Sequence, residues 1–190
     1  MSTNSDNVRI HGGRKTAVYL APKGATLPTG LNDPIGEFIH MGWLHEDGIE
    51  FELSTDANKI KALQGGETVR VAITSVEKTV KFTCLEDKPE ASALYWGHGT
   101  PTAVGEAGAK VARVDMPTSP GLQERTAVVR LDDGGITKFV CLELIQITER
   151  ETLTNNSSDP TAFGFTAEII GNSYFLTNSP VYLEAAGIAA

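Results

Sequence analysis

Apolar residues along this chain recur mostly with a period of two. Residues 68–75 place Val69, Val71 and Ile73 on one face and Thr68, Arg70 and Thr74 on the other, and residues 78–86 repeat the pattern with Val80, Phe82 and Cys84 opposite Thr79, Lys81 and Thr83. Strict alternation is the signature of a strand with one buried face, so the spacing predicts two strands joined as a hairpin around Ser75, Val76 and Glu77. Further strands are expected at residues 15–21, 37–44, 109–116 and 124–131. Asp132, Asp133, Gly134 and Gly135 read as a hairpin turn, with glycine supplying positive φ. The strand after it, residues 137–148, is apolar on both faces and is therefore expected at the centre of a sheet. In residues 162–170, Phe163, Phe165, Ala167 and Ile169 alternate against Thr166 and Glu168.

One segment departs from this period. Pro89 suits the first turn of a helix because its missing N–H costs nothing there, and the run to Trp96 stops at Gly97. The expected fold class is thus mainly β, a β-sandwich or barrel-like domain with one short flanking α-helix, a long inter-strand loop and terminal arms. The organisation expected is an N-terminal arm at 1–16, a single β domain at 17–171 and a C-terminal extension at 172–190. Its predicted core is Val69, Val71, Ile73, Val80, Phe82, Phe139, Phe163 and Phe165.

Composition narrows the function classes. Sixteen Lys and Arg against 24 Asp and Glu leave a formal net charge of -8, the wrong sign for a protein that grips nucleic acid by neutralising phosphates. No secretory signal and no membrane span is expected, since the N-terminus is polar and the longest apolar-rich run, residues 139–147, is about half the ~20 residues a spanning helix needs. Cys84 and Cys141 sit among apolar neighbours in predicted strands, where a thiol stays protonated and inert, so reduced core thiols are expected. His11, His40, His45 and His98 share no metal-ligand spacing with one another or with the cysteines. There is no nucleophile elbow and no phosphate-cradling glycine loop. Neither an enzyme nor a cofactor is expected; a hydrolase with a dispersed site is the enzyme-class alternative.

Residues 45–66 stand apart. HEDGIEFELSTD holds Glu46, Asp47, Glu50, Glu52 and Asp56 with no basic residue, and Lys59 and Lys61 follow. The charge is segregated along the segment. Read as a loop, it is longer than the 12–15 residues beyond which a structureless connection is usually functional. Ile49, Phe51, Leu53, Ile60 and Leu63 need a surface to cover, and another subunit is the expected one.

Several blocks carry a family resemblance by their order and spacing: GATLPTG at 24–30, GWLHEDGI at 42–49, IKALQGGETVR at 60–70, FTCLE at 82–86, then PE at 89–90 and LYWG at 94–97, with a looser block at 154–171. Together they resemble the major tail proteins, or tail-tube proteins, of long, flexible-tailed bacteriophages. No aligned block covers residues 97–123, and a counterpart of the additional immunoglobulin-like domain that many relatives carry is not expected. The resemblance implies a structural virion protein, assembled in the host cytoplasm, whose copies close into hexameric rings that stack as a tube for DNA. It implies the tape-measure, tail terminator and tail-tip proteins as partners, and only transient, non-specific passage of double-stranded DNA. On that reading the expected inter-ring latch comprises Glu46, Asp47, Ile49, Glu50, Phe51, Glu52, Leu53, Asp56, Lys59 and Lys61. A lumen that is electronegative or near neutral is expected, because each exposed Lys or Arg would add attachment to phosphate. Glu77, Glu143 and Glu168 are its candidates, the alternative being outer-surface acids or partners of Arg70, Arg125 or Arg130 across subunits. A capsid decoration or adhesion module is the alternative within the structural class.

Overall fold

The computed structural model describes residues 5–63, 65–106 and 109–188. The outermost residues of both expected arms, and Gln64 in the expected loop, lie outside the described residues. The main sheet has seven antiparallel strands in the order β2-β1-β7-β8-β9-β4-β3. They are β1 (Ala17–Pro22), β2 (Ile39–His40), β3 (Leu44–Lys61), β4 (Thr68–Cys84), β7 (Glu124–Asp133), β8 (Ile136–Arg150) and β9 (Phe163–Thr177). Strands β5 (Thr102–Val104) and β6 (Val111–Arg113) pair only with each other. Helix α1 (Pro89–Trp96) precedes them, and α2 (Pro180–Ala185) follows β9.

The sheet closes on itself. β2 and β3 form its two edges, yet only Met41, Gly42 and Trp43 separate them. Four peptide steps reach at most ~14 Å, whereas the edges of a flat seven-stranded sheet would stand ~29 Å apart at ~4.8 Å per spacing. The connection is stitched to both sides of the seam: Met41 N–H donates to the Val18 carbonyl at 2.9 Å, and Leu85 N–H donates to that of Trp43 at 2.8 Å. The result is barrel-like.

Inside lies one apolar cluster drawn from β1, β4, β7, β8, β9 and α1, centred on Phe82 and Phe165, which are cross-strand partners with ring centroids 5.5 Å apart. Leu94 and Ala91 of α1 plug one end. The helix ends at Gly97 in the left-handed conformation, φ 74°, where a Cβ would run into the Pro120 backbone. A second, smaller cluster on the opposite face packs Phe38, Val128, Phe139 and Cys141 under the 23–38 loop. Asp33 ties that loop by accepting from the Thr29 hydroxyl at 2.9 Å, Thr29 N–H at 2.8 Å and Gly30 N–H at 2.7 Å, bonds that hold its carboxyl below the usual range, the hydroxyl bond foremost. Cys84 and Cys141 belong to opposite clusters and are free thiols. Burial pushes them up to about 12 and about 11.

Several expectations hold. β8 is the middle strand, Gly134 and Gly135 form the tight turn before it, α1 spans the predicted range, and Val80, Phe82, Phe139, Phe163 and Phe165 are buried. Others are corrected. Val69, Val71 and Ile73 are not core residues; they are 62%, 55% and 67% exposed. Ser75, Val76 and Glu77 form no turn, since β4 runs unbroken through them. The break in alternation there is a β-bulge, in which Asp56 faces Ser75, Ala57 faces Ile73 and Thr74 is the extra residue. The long inter-strand loop expected at 45–66 is largely strand β3, whose partner along its length is β4. Within 37–44 the strand is reduced to Ile39 and His40, with Leu44 already opening β3, and within 109–116 it is reduced to Val111–Arg113. β9 continues to Thr177, so the boundary expected at 171/172 falls inside a strand.

Candidate functional site

β4 pairs with β9 only from Thr79 to Cys84. Beyond that point, among the described residues, β3 and β4 pair only with each other and leave the barrel as a two-stranded arm. Residues 50–61 are almost all exposed, as are residues 68–77.

Cross-strand partners share a face of a sheet, so the register sorts the arm's side chains. One face carries Ile49 with Phe82, Phe51 with Val80, Leu53 with Lys78, Thr55 with Val76, Ala57 with Ile73 and Lys59 with Val71. The bulge at Thr74 makes this possible: a one-residue slip moves side chains to the other face, and here it returns Ile73 and Val71 to the face of Val76, Val80 and Phe82. The stripe that is core at the base of the arm thus runs out along it as exposed apolar surface. Two hydroxyl bonds hold the bulge, Thr74 Oγ1 to the Asp56 carbonyl at 3.2 Å and Ser75 Oγ to the Asp56 carboxylate at 2.9 Å.

The other face is acidic. Glu52 pairs with Thr79, Thr79 with Glu168 and Glu168 with Gln146, while Glu50 pairs with Lys81, Lys81 with Thr166 and Thr166 with Glu149. Glu77, opposite Ser54, and Asp56, opposite Ser75, extend the surface outward. Lys81 is engaged by Glu151 at 2.8 Å, which raises its pKa, with Glu50 and Asp47 adding to the effect. Exposed surface pairs of this kind contribute little stability, and they leave Glu50, Glu52, Asp56, Glu77, Glu149 and Glu168 as an acidic field. The basic residues Lys59 and Lys78 lie on the apolar face, where their partners bring no acid.

The structure therefore gathers Glu77 and Glu168 on one surface, and it does so through register across β4 and β9. Glu143 occupies a second bulge, between Leu142 and Leu144, where its carboxylate accepts the Asn172 N–H at 2.8 Å. Within the chain Arg130 lies 3.7 Å from Asp132 and Arg125 bonds Gln123, so neither is engaged by these acids. The segment 45–61 keeps its segregated charge, spread along a strand: Glu46, Asp47, Glu50 and Glu52 at the base, Lys59 and Lys61 toward the tip. Sequence reading missed Val69, Val71, Ile73 and Val76 as surface residues. Beside the arm's base a groove of about 280 Å³ runs between Phe51, Leu53 and Lys78 on one side and Val140, Ile169 and Phe175 on the other. At its end the Lys138 ammonium lies 4.8 Å over the Phe175 ring, against which Tyr182 of α2 packs edge-on.

Among the described residues no group of His, Cys, Asp and Glu is placed to hold a metal, and no helix is long and apolar enough to cross a membrane.

A family model described as phage tail tube protein matches residues 1–178. The chain belongs to the phage tail tube protein family. It is accordingly a structural, non-enzymatic component of the virion, and a tail tube protein is built to contact further copies of itself. No curated protein matches the tail tube chain at sequence level. Among solved structures it is similar to a chain from the tail of an empty gene transfer agent particle refined with C6 symmetry, at 11% identity over 92% of this chain and 99% of that one, TM-score 0.48. It is also similar to a chain from the virion of a native gene transfer agent particle, at 10% identity with the same coverage, TM-score 0.45. Likeness at that level carries no functional weight.

Proposed function

We propose that six copies close into a ring, that rings stack into a long, flexible tail tube, and that the β3–β4 arm is the contact between rings. The observation that carries this reading is the apolar stripe on the arm, continuous with the core yet left in solvent by the isolated chain. A stripe of that length on a member of a self-assembling family is an interface awaiting its partner. Among the described residues no strand pairs with the outer edge of β3, and closure across subunits removes such an edge as an aggregation hazard.

In this arrangement the acidic face, with Glu77 and Glu168, looks into the lumen and Glu143 borders it. DNA and wall are then like-charged, and water and counterions fill the space between. The tape-measure protein occupies the lumen during assembly, and tail terminator and tail-tip proteins close the two ends. The test is electron microscopy of the purified protein across a concentration series. Tubes with a regular axial repeat are expected. Discrete small oligomers that never extend would instead support the capsid decoration or adhesion reading.

A further inference from the structure

The two ends of the arm differ in a way that suits them to each other. The tip carries Leu63, which is 98% exposed, with Ile60 beside it and Lys59 and Lys61 on the approach. The base borders a cavity of about 520 Å³, with Trp43, Ile49 and Leu131 in its wall and Glu46 and Asp47 among its lining. Arg14 also lines it and His45 Nδ1 lies 2.9 Å from the Asp47 carboxylate, but Glu46 and Asp47, with Glu50 just beyond, outnumber Arg14 and leave this end acidic. In the same wall His11 Nδ1 is buried without a hydrogen-bond partner among the described residues, and such a nitrogen can be satisfied by an incoming donor.

We propose that the arm tip of one copy seats in this cavity of a second copy, with Leu63 entering between Trp43 and Leu131 and Lys59 and Lys61 meeting Glu46 and Asp47. The inference rests on the tube reading above and names the contact that the arm makes. A chain cannot make it with itself, because the ribbon from Ile49 to Lys61 is paired throughout and holds its tip about 40 Å from its base at ~3.3 Å per residue. Tip and cavity are different surfaces, so the contact is head-to-tail, and each copy presents both halves. Contacts of that type propagate into filaments or close into rings. Stacked along the arm direction, they make the arm's length a determinant of the axial repeat.

The test uses assembled protein. Leu63→Cys and Trp43→Cys chains of different tag size are mixed, assembled and treated with a short bismaleimide; both replaced residues are exposed, and the native Cys84 and Cys141 are buried. A cross-link joining the two tags is expected in the mixture. In parallel, Lys59→Glu with Lys61→Glu, and separately Glu46→Lys with Asp47→Lys, should each raise the critical concentration for tubes about tenfold at low salt, and the chain carrying all four should return toward the parent. Tubes that form without the mixed cross-link, or a four-fold variant no better than either pair, overturn the seating while leaving the tube reading intact. A parent protein that stays monomeric at every concentration overturns both.

Discussion

Excising the arm separates its role in assembly from any role in folding. Ser54 and Glu77 already face each other across the ribbon, so residues 55–76 can be replaced by Asn-Gly, a two-residue turn suited to a hairpin. The ladder from Ile49 to Ser54 remains, as does every pair between β4 and β9. No core residue lies within 55–76, so the excision leaves the buried core of the body intact. Removing the ribbon exchanges a long excursion for a tight turn, which costs little chain entropy. The expected stability change is within about 1 kcal/mol, or a Tm shift of about 2–4 °C for a chain of this size. Excising 50–62 instead would strip Phe51 from its partner Val80 and unpair the strand beside Phe82, on the order of 2–3 kcal/mol of lost burial. The assay is thermal unfolding beside sedimentation velocity and electron microscopy. The 55–76 excision should melt like the parent and make no tubes. A fall in Tm beyond about 10 °C would show that the arm belongs to the body's stability, and tubes at the parent's critical concentration would remove it from assembly.

Phe165 is fully buried against Phe82 and Tyr95, so Phe165→Ala should cost about 3–5 kcal/mol in urea unfolding, and a loss below 1 kcal/mol would contradict its place in the core. The raised thiols of Cys84 and Cys141 stay protonated in the native state while unfolded thiols ionise near 9.0. The native state then holds more protons, so stability should fall as pH rises from about 9 toward 11–12 and owe nothing to these groups below about 9. Cys84→Ala should flatten that alkaline slope in urea midpoints taken between pH 8 and 10.5, and an unchanged slope would assign it elsewhere. Phage carrying Glu77→Lys and Glu168→Lys should eject DNA more slowly, with the delay largest at low salt; parental kinetics at both salts would remove the electrostatic reasoning about the lumen.

Features with a local cause were readable along the chain. Pro89 and Gly97 bracket α1 because one lacks the N–H that a first turn does not need and the other tolerates the left-handed cap. Gly134 and Gly135 both take positive φ and turn β7 into β8. β8 announces its central place by being apolar on both sides. The arm was not readable in this way. Glu50, Phe51, Glu52 and Leu53 alternate as a strand should, but Asp56, Ala57 and Asn58 after them are depleted in strands, and it is long-range pairing with β4 that decides the matter. Likewise the slip at Thr74 looks the same in sequence whether the chain reverses there or carries a bulge.

The misplacement of Val69, Val71 and Ile73 has a more general physical reason. Their alternation is of the same kind as that of Val80 and Phe82, and Val71 and Ile73 lie on the same face of the same strand as that pair. What separates them is whether β9 runs alongside: it does from Cys84 to Thr79 and not beyond. Periodicity reports that a face will be covered, and it is silent on which chain covers it. In a protein that folds alone the two statements coincide, so an alternating run is assigned to the core. On the proposed reading of this tail tube protein they divide, and the exposed continuation of a buried stripe would mark where folding stops and assembly begins. The acidic surface follows the same logic, since Glu52, Glu77 and Glu168 come from three strands and become neighbours only through register. An assembly surface of this kind is therefore found by asking which alternating positions the chain's own strands leave uncovered.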